Sequence, residues 1–225
     1  MTQRDFELEE LHKKLWKHIE NQAKHWKSFV YAKEKGFYQG FEEIKIDGWR
    51  PSEKRFERYG IEKYLSKTMT ALDIGSNCGF FTLVVSRYVN HIDGVELNPH
   101  LVAIANDTKE FLKIQNAMFL VSSFEEFTPN KKYDVVFSLA NDETIDGNTK
   151  FIFKEYMEKI NRVLSTNGLV MFETVSPDTY EPKLFNPKLE FIKRHFDVLE
   201  DKMVDSEYPV NVPQRRFLIL RKKET

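Results

Sequence analysis

Along residues 5–35, Leu8, Leu11, Leu15, Ile19, Ala23, Trp26 and Val30 recur at three- and four-residue steps, with Lys, Glu and His between them. That spacing lays an apolar stripe along one side of a helix, and Gly36 is a natural stop. The stripe is open to three readings: packing against the rest of the chain, a lid over a binding site, or a surface for pairing with a second copy. A connector follows, with turn signals at Gly40 and Asp47-Gly48. Pro51 then suits the first turn of a second helix running to about residue 66, with Phe56, Tyr59, Tyr64 and Leu65 as its apolar contacts.

From Met69 the pattern changes to short apolar runs alternating with amphipathic segments. Strands are expected near 70–74, 92–96, 117–121, 133–138 and 168–173, and helices near 79–89, 99–113 and 149–165. Such alternation means right-handed βαβ crossovers and a parallel sheet. The last runs, 196–204 and 215–221, have only a loop between them and are expected to form an antiparallel hairpin. The expected class is α/β: helices on a mostly parallel seven-stranded sheet that ends in that hairpin, preceded by an N-terminal helical extension. The extension, or lid, is expected over 1–68 and the ligand-binding domain over 69–225.

The segment Leu72-Asp73-Ile74-Gly75-Ser76-Asn77-Cys78-Gly79-Phe80-Phe81 carries an apolar strand into a glycine-bearing turn and out as a helix-compatible run. Gly75 and Gly79 permit a sharp turn and close approach of the backbone to a ligand. The next strand ends in Glu96, about twenty residues past the loop, where a carboxylate can accept hydrogen bonds from ribose hydroxyls. The dinucleotide fingerprint Gly-x-Gly-x-x-Gly is not matched. Instead, Asp73-x-Gly75-x-Asn77-x-Gly79 followed by Glu96 resembles the first motif and the ribose-binding acid of the Rossmann-like (class I) S-adenosylmethionine (SAM) methyltransferases. Asn77 stands where that family usually has its middle glycine, and Asn is the next most tolerant residue of positive φ. The resemblance spans 70–222 and implies SAM as cofactor, with S-adenosyl-L-homocysteine as product.

In an open parallel sheet, ligands collect at the carboxyl ends of the strands. By the resemblance, Asp73, Gly75, Ser76, Asn77, Gly79, Phe80 and Phe81 form a loop whose amides and helix amino terminus face the methionine part of SAM. Glu96 takes the ribose and Leu97 the adenine. Ser123 and Phe124 line the adenine pocket, although Ser122-Ser123 also reads as a cap on the turn at Glu125-Glu126. Ser138, at the end of the fourth strand, joins this cofactor-binding set. Asn141 and Asp142 follow where related enzymes place residues between methyl group and acceptor: Asn141 to orient an acceptor oxygen, Asp142 to do so or to remove its proton. A polar loop capping the next helix is the other reading, and the preferred one for Glu143 and Asp146. Asp178 and Tyr180 are candidates for a wall of the acceptor pocket.

Trp49-Arg50-Pro51 and the aromatics and arginines after it are similar to segments of the tRNA wobble-uridine carboxymethyl-transferring enzyme and of methyltransferases that decorate bacterial surface polysaccharides. There an arginine reaches the SAM carboxylate or an acceptor anion, and Arg50 is the choice because Pro51 fixes the adjacent backbone. Arg55 and Arg58 are open to two readings, with a helix-surface role beside Glu53, Glu57 and Glu62 favoured for Arg58. Asp142 with Glu173 could mimic the acids by which catechol-type methyltransferases hold magnesium, but their ligand pattern is not matched and there is no Cys/His spacing for zinc, so no metal is expected.

Composition narrows the partners. A net charge of −1 over 225 residues supplies no global basic field for nucleic acid or membrane, and no apolar run is long enough to span a bilayer. The single cysteine, Cys78, excludes an internal disulfide and fits a reducing cytosol; no signal peptide is expected, and the expected location is cytoplasmic. The function this implies is methylation of an oxygen on a small acceptor: a sugar, a sugar phosphate or a surface-glycan precursor of polysaccharide biosynthesis. The alternatives are a tRNA base modifier and a non-catalytic SAM-fold binding module.

Overall fold

In the computed structural model the alternation after residue 69 closes into one sheet. The structure describes residues 2–31, 33–144 and 148–224. Among them the sheet has seven strands: β1 (Thr70–Ile74), β2 (His91–Glu96), β3 (Ala117–Val121), β4 (Tyr133–Leu139), β5 (Leu164–Glu173), β6 (Phe196–Asp205) and β7 (Gln214–Lys222). Their order is β3-β2-β1-β4-β5-β7-β6. The first five run parallel, and β7 is antiparallel to both β5 and β6. The strand order reverses between β1 and β4, which opens a crevice at their carboxyl ends.

Successive side chains of a strand face opposite sides, and here both sides are buried. Leu169 and Met171 of β5, with Phe217 and Ile219 of β7, join one apolar cluster. Val170, Phe172, Leu218 and Leu220 join the other. Helices α5 (Phe153–Val163) and α6 (Pro182–His195) cover the second face. The first is covered by α3 (Phe80–Ser86), α4 (Pro99–Phe111) and the N-terminal segment, whose Leu15, Phe41, Ile44 and Phe56 lie in the same cluster as Phe80. Phe41 and Phe80 have ring centroids 5.4 Å apart. Residues 1–68 therefore supply core as well as cover.

The strands fall within a few residues of expectation; the helices are shorter. Helix α1 (Gln3–His25) ends ten residues early because Trp26 turns extended at φ −81° and ψ 123°. Its stripe packs on the domain, with Leu11 and Leu15 buried and α4 as neighbour. Gly36 is not its cap: at φ +82° it lies against Trp16, whose ring would be 2.4 Å from an added Cβ. Helix α2 (Ser52–Tyr59) stops at Gly60, a left-handed cap with φ 58°, and only a 3-10 turn, Glu62–Tyr64, follows. The two-residue strands Gln39–Gly40 and Arg50–Pro51 pair in parallel and tie the connector to the start of α2.

Because the extension shares one core with the sheet, Phe41→Ala is expected to lower the stability of the whole chain by about 3–5 kcal/mol. Urea unfolding followed by tryptophan fluorescence and circular dichroism checks this. Two separated transitions in the wild-type chain would show an extension that unfolds alone.

Candidate active site

Strand β1 delivers the chain into a turn with three left-handed residues: Gly75 at φ 64°, Asn77 at φ 53° and Gly79 at φ 73°. A Cβ on Gly75 would sit 2.5 Å from Asn141 Oδ1, and one on Gly79 would sit 2.5 Å from the Ala105 Cβ. Asn77 takes the positive φ that its place demands. Its side chain accepts from the Cys78 amide at 2.9 Å, and its own amide donates to Glu96 Oε2 at 3.0 Å. The other Glu96 oxygen accepts from the Asn98 amide at 2.8 Å. The loop after β1 and the end of β2 thus hold each other across one carboxylate.

The crevice beside this turn is lined by Asp73, Gly75, Asn77, Phe81, Glu96, Leu97, Ser123, Phe124 and Asn141, which the structure brings together. From the N-terminal segment come Gln22, Trp26, Phe29, Tyr31, Tyr38, Gln39 and Arg55. Side-chain amides fix that segment in place. Asn98 Nδ2 donates to Gln22 Oε1 at 2.7 Å. Gln39 Nε2 donates to the Ser76 carbonyl at 3.2 Å, and its Oε1 accepts from the amides of Phe80 (2.9 Å) and Phe81 (3.4 Å). Those amides were expected to face a ligand; Gln39 caps them instead.

Several expected site residues lie off the crevice wall: Gly79 faces Ala105 and the Phe119 ring, the Tyr180 hydroxyl donates to the Gln214 carbonyl, and neither they nor Asp178 line the crevice. Ser76 is buried beneath the turn, and its amide donates to the Val95 carbonyl. Phe80 is buried against Phe37 and Phe41. Ser138 is buried, with its hydroxyl 2.9 Å from that of Tyr156. Asp142 pairs with Lys188 at 2.8 Å, and the same ammonium reaches Asp178 at 2.6 Å. Arg50 makes a two-pronged contact with Glu173, at 3.0 and 2.8 Å. Arg55, on α2, lines the crevice in its place. Arg58 pairs with Glu207. The Ser123 hydroxyl accepts from the Glu126 amide at 3.1 Å, so the capping reading holds at this residue while it also lines the crevice. Asp146 lies outside the described residues.

Burial decides the protonation of the acids. Asp73 accepts from the Thr82 hydroxyl at 2.5 Å, yet desolvation raises its pKa to about 7. Desolvation likewise lifts Asp142 to about 6 against the pull of Lys188. Glu173 goes the other way: the guanidiniums around it, Arg50 foremost, overcome its burial and hold it at about 2. Burial pushes the Cys78 thiol up, which keeps it protonated and unreactive. Each of the two acids once paired as a metal echo faces a cation of the chain, Asp142 with Lys188 and Glu173 with Arg50.

A family profile described as a methyltransferase domain matches residues 65–208, from just before β1 to just before β7. The chain belongs to this methyltransferase family. It is similar to malonyl-[acyl-carrier protein] O-methyltransferase 2 of Ilyobacter polytropus, with 30% identity over 148 residues, covering 62% of this chain and 54% of that protein. The chain spans about half the length of the curated relatives it matches, 54% and 41%. Among solved structures, a putative class I SAM-dependent methyltransferase of Listeria monocytogenes aligns over 100% of this chain and 71% of its own, at TM-score 0.67 and 17% identity. The N-methyltransferase NodS of Bradyrhizobium japonicum WM9, in complex with S-adenosyl-L-homocysteine, aligns over 77% of this chain and 89% of its own, at TM-score 0.59 and 13% identity. A tRNA methyltransferase of M. jannaschii shares the fold as well.

The fold is shared with class I SAM-dependent methyltransferases. Gly75 lines the crevice without a side chain, Gly79 makes room for Ala105 and Phe119 behind it, and the carboxylate of Glu96 stands at the end of β2. Sequence reasoning left out Gln22, Gln39 and Tyr38, and it left Arg55 undecided. A signal for Arg55 was present: it shares the buried face of α2 with Ser52, Phe56 and Tyr59, at steps of three and four.

The shifted pKa of Asp73 sets a pH dependence. An unfolded Asp ionises near ~3.9, whereas this one holds its proton to about pH 7. Between those values the folded chain binds the extra proton, so stability falls as pH rises. Asp73→Asn is expected to flatten that fall, read from urea midpoints at several pH values across this window. An unchanged slope would assign the pH dependence to other groups.

Proposed function

We propose that this methyltransferase moves the methyl group of SAM to an oxygen of a small acceptor, with a sugar phosphate or related surface-glycan precursor as the favoured class. The observation that carries the reading is the crevice itself, in which the Gly75–Gly79 turn and Glu96 adjoin a wall of Tyr31, Tyr38, Asn141, Asn148 and Thr149. Aromatic and amide side chains of this kind suit a ring with hydroxyls: flat faces for its carbons and hydrogen bonds for its oxygens. The likeness to an O-methyltransferase supports oxygen as the acceptor atom.

In this reading Glu96 accepts from the ribose hydroxyls, Leu97, Ser123 and Phe124 bound the adenine, and Asp73, Gly75, Asn77, Gly79 and Phe81 shape the seat of the methionyl part. The cofactor supplies a methyl group already activated on a sulfonium. What remains for the chain is alignment of the acceptor and exclusion of water. Asn141 does the first: its amide is anchored on the Ile74 carbonyl, where it also borders Gly75. Trp26, Phe29 and Tyr31 do the second from the N-terminal segment. We assign Asp142, engaged by Lys188, to holding the loop that carries Asn141.

The test is transfer from methyl-labelled SAM to nucleotide sugars, sugar phosphates, carboxylic acids and tRNA, beside calorimetric titration of S-adenosyl-L-homocysteine. Glu96→Ala is expected to remove most of the binding. Asn141→Ala is expected to lower kcat at least about tenfold with that affinity kept. Asp142→Asn is expected to lower the thermal midpoint; an unchanged midpoint with turnover lost would return Asp142 to the role of base. Labelled tRNA in place of a labelled small molecule would replace the acceptor class.

A further inference from the structure

Two glutamines of the N-terminal extension reach the loops that build the crevice. Gln22 and Gln39 are 3% and 4% exposed, and both lie ahead of residue 65, where the methyltransferase-domain match begins. Gln39 works on the turn after β1. Helix α3 starts at Phe80, so its first amides have no acceptor within the helix. Gln39 Oε1 takes two of them, and Nε2 donates to the Ser76 carbonyl, which also accepts from the Gly79 amide at 2.9 Å. One side chain thus grips the turn at both ends. Its own backbone is fixed: Gln39 pairs with Arg50 in the short parallel ladder, and a Cβ on Gly48 would stand 2.3 Å from the Gln39 carbonyl carbon.

Gln22 works on the end of β2. Its Oε1 accepts from Asn98 Nδ2, while Asn98 Oδ1 accepts from the His100 amide at the start of α4. The Asn98 amide donates to one oxygen of Glu96, and the other oxygen accepts from the amide of Asn77, inside the turn that Gln39 grips. Asn77 is left-handed without being glycine, and it holds that conformation only where its surroundings impose it. Removing either glutamine leaves buried polar groups without a partner, and the loop it holds must shift to satisfy them.

Resting on the reading of this crevice as the SAM site, we propose that Gln22 and Gln39 are positioning residues for the cofactor, through which the extension sets the shape of both loops that receive it. Gln39 governs the seat of the methionyl part, and Gln22 governs the ribose acid. Both polar atoms of Gln39 are engaged by the turn, so it acts through the loop. Docking of the extension and affinity for the cofactor are then coupled, and each strengthens the other.

The experiment is calorimetric titration of the wild-type chain, Gln39→Met and Gln22→Met with S-adenosyl-L-homocysteine and with 5′-methylthioadenosine, which keeps the adenosine and thioether but lacks the amino-acid end. It is run below every thermal midpoint. Methionine keeps the length of the side chain and removes its hydrogen bonds. Gln39→Met is expected to weaken S-adenosyl-L-homocysteine at least about tenfold, with methylthioadenosine affinity kept. Gln22→Met is expected to weaken both ligands by the same factor, because the ribose acid serves both. Lowered midpoints with both affinities unchanged would mark packing residues and overturn the proposal; so would an equal loss of the two ligands in Gln39→Met. If a methionine variant does not fold, Gln39→Asn or Gln22→Asn, one methylene short of its partners, is read by the same criteria. A wild-type chain that binds neither ligand refutes the cofactor reading separately, and hydrogen exchange of the free chain then decides. Faster exchange confined to residues 76–82 in Gln39→Met and to 96–100 in Gln22→Met keeps the glutamines as holders of these loops; unchanged exchange there overturns that role.

Discussion

The carboxylate of Glu173 is the joint on which the carboxyl edge of the sheet depends. It is the last residue of β5, fully buried, with both oxygens taken by Arg50 and one shared with the Tyr59 hydroxyl. Arg50 belongs to the short strand that pairs with Gln39–Gly40, and Tyr59 ends α2. One side chain therefore fastens the extension to the sheet at two points, each more than a hundred residues from it in sequence. An ion pair so buried adds little net stability over an apolar substitute. Removing one partner is different, because it strands a charge in a dry interior at a cost of about 3–5 kcal/mol. The contact thus acts less as glue than as a constraint on register: the chain folds with Arg50 opposite Glu173 or leaves both unsatisfied.

That constraint also explains the division of labour between two nearby arginines. Arg50 lies just ahead of α2 and reaches back to β5, while Arg55 sits one turn into the helix and reaches the crevice. Tyr59 touches both systems, since its hydroxyl meets Arg55 on one side and Glu173 on the other. Its ring is stacked on Phe217 at 4.2 Å, so the bridging hydroxyl has little freedom to move.

How much of this could be read in the sequence follows from the range of each interaction. The strands were legible because a parallel sheet buried on both faces needs near-continuous apolar runs, and Val135-Val136-Phe137 and Leu169-Val170-Met171-Phe172 are such runs. The turn from Gly75 to Gly79 was legible because its positive φ angles restrict residue type locally. Helix ends were less so: Gly60 closes α2 where the apolar pattern continued to Leu65. What could not be read were choices made by distant partners. Whether a guanidinium faces a crevice or a buried carboxylate depends on Glu173, more than a hundred residues away from Arg50. The capping of Phe80 by Gln39 spans forty-one positions and leaves no local trace.

The Gln39 cap changes what the crevice can attract. A helix that starts at a glycine turn presents free amides and the positive end of its dipole, a ready place for an anion. In this chain the amides of Phe80 and Phe81 already have an acceptor, and it is a neutral carboxamide, which satisfies them without adding charge. The positive field on this side of the crevice then comes from Arg55, a full charge on a planar fork, rather than from diffuse backbone dipoles. A dipole end selects for negative charge and little else. The Tyr59 hydroxyl holds the Nε edge of that fork, so the direction in which the guanidinium faces the crevice follows from the placement of a single hydroxyl.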